Sequence, residues 1–86
     1  MNAMTDNLRT AIAKALDVGV LATLMTGFEI ESDLDEFGDE FLRVVVKLKP
    51  TDRDIDAELE AALERIEEAV APLDNRYPSV RFLDAA

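Results

Sequence analysis

The sequence predicts an α+β fold: a two-layer sandwich in the order α-β-β-α-β, with a three-stranded sheet carrying two helices on one face. Three patterns lead there. Apolar side chains recur at steps of three and four in residues 8–16 and 55–73, which is helical spacing. In residues 28–31, 42–48 and 79–83 they alternate with polar ones, which is strand spacing. Between the first two strands lies only a short acidic segment with a glycine, so those strands pair as an antiparallel hairpin. With 86 residues, 49% of them hydrophobic, the chain reads as one domain, 1–86, with a modest core.

The first helix takes Thr5 or Asp6 as its cap and Leu8, Ile12, Ala15 and Leu16 as its buried stripe, with Arg9 and Lys14 outside. Met1-Asn2-Ala3 ahead of Met4 reads as a vector remnant or an upstream start, and residues 1–4 are given no structural role. Gly19 is the expected stop. The run Val20-Leu21-Ala22-Thr23-Leu24-Met25 is apolar nearly throughout and supports two readings, a continuation of the helix or a buried connection into the first strand; the choice over 18–26 stays open.

From Gly27 the period becomes two, with Phe28 and Ile30 on one face and Glu29 and Glu31 on the other. Asp33 to Asp39, with Gly38, makes the reversal. In the second strand Leu42, Val44, Val46 and Leu48 alternate with Arg43, Val45, Lys47 and Lys49, and Pro50 ends it. Glu29 and Glu31 are then expected opposite Arg43, Lys47 or Lys49 across the outer surface.

Thr51-Asp52-Arg53-Asp54 is a loose capping box, so the second helix is placed from here, with Asp52, Asp54 and Asp56 at the positive end of its dipole. Its stripe is Ile55, Leu59, Ala62, Leu63, Ile66, Val70 and Leu73. Pro72 ends or kinks it, Asp74-Asn75-Arg76 is loop, and Tyr77 before Pro78 packs that loop against the sheet. Ser79 to Leu83 forms the third strand. Returning by a crossover, it is expected to lie parallel to the first strand, which would make the first strand central and leave the second at an edge. Arg43, Val45, Lys47 and Lys49 then line a sheet face that no third layer covers. That suggests a homodimer through the sheet face or the edge strand.

The composition restricts function. Nineteen acidic against nine basic residues give a formal charge of −10, a sign that repels phosphate backbones and anionic lipid, so neither nucleic acid nor membrane is an expected partner. No run reaches the roughly 18 apolar residues of a membrane span, and no secretory signal opens the chain, so a cytoplasmic location is expected. There is no His and no Cys. Nucleophile systems built on those residues, and the usual zinc, copper or haem sites, are therefore out of reach. Gly19, Gly27 and Gly38 are isolated and form no phosphate-binding loop. No enzyme activity and no cofactor are expected.

What remains is a concentration of one charge. Between residues 29 and 40 stand Glu29, Glu31, Asp33, Asp35, Glu36, Asp39 and Glu40, with no base among them. Asp33-Leu34-Asp35-Glu36-Phe37-Gly38 begins like a calcium-binding loop. Phe37, however, stands where the fifth position needs a ligand, and Val44 where the twelfth needs a bidentate Glu. The candidate partner-binding residues are Asp33, Asp35, Glu36, Phe37, Asp39 and Glu40. Phe37 and Phe41 either fold back onto the core or protrude as interface anchors. Glu58, Glu60, Glu64, Glu67 and Glu68 read as the solvated face of the long helix.

Two resemblances follow from the pattern. The order helix, strand, strand, helix, strand, with Val44-Val45-Val46 and Pro78-Ser79-Val80-Arg81-Phe82 in its strands, resembles the cytoplasmic dimerising tail of cation diffusion facilitators. That tail holds metal with His-bearing strands, so with no His here only the topology carries over. Asp39-Glu40-Phe41-Leu42-Arg43-Val44, the acidic helix and Tyr77-Pro78-Ser79-Val80-Arg81-Phe82 are similar to small acidic bacterial proteins of toxin-antitoxin-like gene pairs. This second likeness implies an antitoxin-like or accessory subunit and assigns no catalytic residue. The function expected is thus a non-enzymatic interaction module that binds a basic protein partner, nucleic-acid mimicry being a special case. The alternative is a weak divalent-cation binder or sensor using Asp33, Asp35 and Asp39; a carboxylate-dependent hydrolase comes third.

Overall fold

The computed structural model describes residues 3–84. Its elements are α1 (Ala3–Leu16), α2 (Val20–Leu24), β1 (Met25–Leu34), β2 (Glu40–Leu48), α3 (Asp56–Val70) and β3 (Tyr77–Asp84). The fold is α+β in the order α-β-β-α-β, with one short helix added before the first strand. Of residues 1–4, which the sequence left without a role, 1 and 2 lie outside the described residues, while Ala3 and Met4 stand in the first turn of α1.

The strand order departs from the sequence expectation. β2, not β1, is central: it pairs antiparallel with β1 and parallel with β3. The short hairpin fixes β1 beside β2, and the crossover through α3 returns β3 to the other side of β2 as a parallel neighbour. Burial favours the same order. Leu42, Val44, Val46 and Leu48 of β2 are at most 5% exposed, whereas β1 alternates its apolar residues with carboxylates suited to a solvated edge.

One core cluster holds these alternate β2 residues together with Leu8, Ile12, Ala15 and Leu16 of α1, Leu21 of α2, and Ala62, Ile66 and Val70 of α3. Phe28 and Ile30 from β1 and Val80 and Phe82 from β3 pack against its margin. The α1 stripe read from the sequence is all in this core; of the second stripe Ala62, Ile66 and Val70 are in it, Ile55, Leu59 and Leu73 pack against its margin, and Leu63 belongs to neither.

Several boundaries move. α1 begins at Ala3, so Thr5 and Asp6 fall inside its first turn instead of capping it. The open segment resolves into five residues of helix followed directly by strand, preceded by Gly19 at a φ of 58°. Only Gly tolerates that left-handed value without strain, which lets the chain turn sharply between α1 and α2. α3 starts at Asp56, later than the loose capping box suggested. The polar side chains before it make turns: Thr51 Oγ1 accepts from the Arg53 N–H at 3.2 Å, and Asp54 Oδ1 accepts from the Asp56 N–H at 3.1 Å. Such local bonds compete with helical pairing, so Thr51 to Asp54 become a turn. α3 does end before Pro72, at Val70.

Because side chains alternate along a strand, the residues between the buried ones form a second sheet face. Its rows follow the register: Asp33, Phe41 and Tyr77; Glu31, Arg43 and Ser79; Glu29, Val45 and Arg81. Most of these residues are exposed, with Asp33, Phe41 and Val45 intermediate.

Candidate functional site

The hairpin reversal is tighter than the sequence indicated, because Asp33 and Leu34 belong to β1 and only residues 35–39 form the loop. Asp35 organises it. The Asp35 N–H donates to the Asp39 carbonyl at 2.9 Å, and the Asp35 carbonyl accepts from the Gly38 N–H at 3.1 Å. Its carboxylate Oδ1 accepts from the N–H groups of Phe37 and Asp39, both at 2.9 Å. Gly38 closes the loop with a φ of 83°, the left-handed residue that a short hairpin loop requires. The Asp-Glu-Phe-Gly-Asp run is therefore a self-contained turn whose first acid is committed to its own backbone.

The six candidate residues divide into two sets. Asp33 lies one strand position from the loop and meets Arg43 Nη2 at 2.7 Å. Glu40 faces Arg76 Nη1 at 3.7 Å, and Asp35 serves the turn. Glu36, Phe37 and Asp39 are exposed, and among the described residues neither of these two carboxylates is in an ion pair. Phe37 does not fold back onto the core: it is 80% exposed at the tip. Phe41 behaves differently, half-buried in β2 with the Arg43 guanidinium 5.5 Å from its ring centre. Part of the acidic run is neutralised within the chain, as the sequence anticipated, but Asp33 takes Arg43 diagonally, while Glu29 pairs with Lys47 at 3.5 Å.

Beside the turn lies the loop between α3 and β3. Tyr77 does not pack that loop against the sheet; it is the first residue of β3 and 64% exposed. The loop is held instead by Arg76, whose Nε donates to Asp74 Oδ1 at 2.9 Å, Nη2 to Asp74 Oδ2 at 2.6 Å and Nη1 to Ser32 Oγ at 3.2 Å. The guanidinium bonded to Asp74 holds that carboxyl below its ordinary range, against the opposing effect of burial, and Asp74 in turn raises the Arg76 pKa. Asp39, Glu40, Leu73, Asp74, Asn75 and Arg76 line a depression of about 610 Å³ between this loop and the hairpin.

The end of the sheet thus presents an exposed aromatic tip, two exposed carboxylates and the shallow depression behind them. Leu34, 60% exposed, and Tyr77 extend its apolar part. Sequence reasoning did not join Tyr77 to the site, because nothing local in the sequence indicates that the loop after α3 returns beside the hairpin turn. Among the described residues no group of three or more Asp or Glu side chains is placed to hold a metal ion. Asp33 is turned to Arg43 and Asp35 to its own backbone, which separates the trio that the cation reading required. No helix of the described residues is long and apolar enough to cross a membrane. No family model, curated protein or solved structure matches this chain.

Proposed function

We propose that the chain is a non-enzymatic interaction module that takes a basic protein partner on the hairpin end of its sheet, with Phe37 as the anchor and Glu36 and Asp39 as its charged rim. The observation that carries this reading is the 80% exposure of Phe37 at the tip of a turn where Glu36 and Asp39 are in no ion pair among the described residues. An aromatic ring held in water by a rigid turn gains most when a partner covers it, and acids around it attract a cation-bearing surface before contact. The turn is preorganised by four hydrogen bonds around Asp35, so little loop ordering is left to cost affinity. An antitoxin-like or accessory subunit is the sharpest form of this proposal. Asp33, Asp35 and Glu40 support the surface through their pairs and turn bonds and add to its negative field.

The test is capture from native lysate by the tagged chain at low and moderate salt, repeated with a variant carrying Glu36→Gln, Phe37→Ala and Asp39→Asn. A second variant, Glu60→Gln with Glu64→Gln, removes the same amount of charge from the exposed face of α3. The reading expects a basic protein that the turn variant loses and the helix variant retains, with purified partner associating more slowly as salt rises. Equal loss in both variants, or nothing recovered beyond the chain itself, would reject it.

A further inference from the structure

We propose that the outer face of the sheet binds a second copy of this chain, the two sheets stacking face to face about a two-fold axis that runs along β2. The inference does not rest on the hairpin reading: it uses the face of the sheet and shares with the hairpin end only Asp33 and Tyr77 at its margin. On this face the charges are sorted by strand. β1 contributes Glu29, Glu31 and Asp33, while Arg43, Lys47 and Arg81 lie on β2 and β3. Three acids balance three bases, so stacking this face brings none of the chain's excess charge of −10 into the contact.

The register makes the face self-complementary. In three of the four rows the β1 carboxylate stands across β2 from a hydrogen-bond donor on β3: Asp33 from Tyr77, Glu31 from Ser79, Glu29 from Arg81; the fourth row, Gly27, Lys47 and Leu83, holds no carboxylate and sets Gly27 against Leu83. A two-fold axis along β2 keeps every residue in its row and exchanges β1 with β3. Each carboxylate of one copy then meets the donor of its own row in the other, and each pair occurs twice, as an isologous interface demands. Stacked sheets lie about 10 Å apart, a gap that a Glu and an Arg side chain reaching toward each other can close. Phe41 and Val45 meet their own counterparts on the axis, supplying an apolar centre. Arg43 and Lys47 also face their counterparts there, but each is drawn toward β1 by its own acid, Asp33 at 2.7 Å and Glu29 at 3.5 Å, which offsets the repulsion.

Two competing arrangements fail on charge. An in-plane axis across the strands stacks β1 on β1 and β3 on β3, laying the acids of one β1 over the acids of the other. Pairing two β1 edges aligns Glu29, Glu31 and Asp33 with one another, an unfavourable opposition of like charges. Three strands at about 4.8 Å spacing and some eight residues of length give a footprint well under the roughly 800 Å² per partner of a standard interface. The dimer is therefore concentration-dependent, and its ion pairs make it weaken with salt.

Sedimentation equilibrium of the full chain over a wide concentration range tests this directly. The wild-type chain is expected to dimerise and to lose dimer as salt rises. Glu29→Arg and Arg81→Glu, both at exposed positions, each weaken self-association by at least about tenfold, since each turns both exchanged pairs into like-charge contacts. An equimolar mixture of the two variants restores dimer, because every arginine introduced by Glu29→Arg then meets a carboxylate introduced by Arg81→Glu, and the remaining pair is native. Circular dichroism of each variant establishes that it is folded. A wild-type chain that sediments as a monomer at every concentration, or single variants that dimerise as the wild type does, or a mixture that stays monomeric, would overturn the proposal.

Discussion

Arg76 grips both oxygens of Asp74, at 2.9 and 2.6 Å, while its remaining guanidinium nitrogen reaches Ser32 on the far strand of the sheet at 3.2 Å. One side chain thereby ties the loop after α3 to β1 across the end of β2. The Asp74 side chain is only 5% exposed, so the pair is a fixed part of the fold and not a loose surface contact.

Removing this clamp is expected to destabilise the chain. Asp74→Ala should cost about 1–2 kcal/mol, the usual effect of leaving a charge-assisted hydrogen-bond partner unmatched. Urea denaturation checks it: the midpoint falls while the slope is unchanged.

The same pair gives a pH dependence of definite sign. The Asp74 carboxyl titrates lower in the folded chain than in the unfolded one because Arg76 bonds its charged form. Its contribution is therefore present above the unfolded value of about 3.9 and is lost as pH falls through the folded value. The stability gap between the wild type and Asp74→Asn should be constant near neutrality and shrink below about pH 4. A gap that widens on acidification would contradict the assignment.

Two glycines should respond oppositely to one substitution. Gly38→Ala places a Cβ at a φ of 83° and should cost roughly 1–2 kcal/mol. Gly27 lies in β1, outside the left-handed region and with open space where a Cβ would stand, so Gly27→Ala should be neutral or stabilise by up to about 1 kcal/mol. Thermal melts of the two variants separate the cases.

In the core, Ile66 is fully buried. Ile66→Ala should cost about 2–5 kcal/mol, enough to bring a domain of this size close to unfolding at ambient temperature. Phe37→Ala is the counterpart: although it removes a larger side chain, its stability should stay within about 0.5 kcal/mol of wild type, because the ring is in water. Chemical denaturation of both variants reads out the contrast.

Much of the candidate site was legible because its signals are local. Asp35 and Gly38 mark a hairpin loop by residue type alone, and Glu36 and Asp39 are charges suited to its solvated tip, but the sequence is compatible with Phe37 either folding back or protruding, and only the structure leaves the ring 80% exposed. Asp33 and Glu40 were assigned to the same surface, yet they pair with Arg43 and Arg76. Those pairings depend on which strands are neighbours and how far a side chain reaches diagonally, neither of which a single strand reveals.

For the fold as a whole, sequence alone determined the faces and the element order. Leu42, Val44, Val46 and Leu48 must share one side of a strand, and Leu59, Ala62, Ile66 and Val70 one side of a helix, because the backbone periods of 2 and 3.6 require it. Only the tertiary structure decided that β2 is central, that Val20 to Leu24 is helix, and that α3 waits until Asp56. Each of these is a competition between alternatives of similar local energy. Where the third strand docks is decided by crossover geometry and by which strand has two apolar neighbours to gain, and those are contacts between residues far apart in the chain.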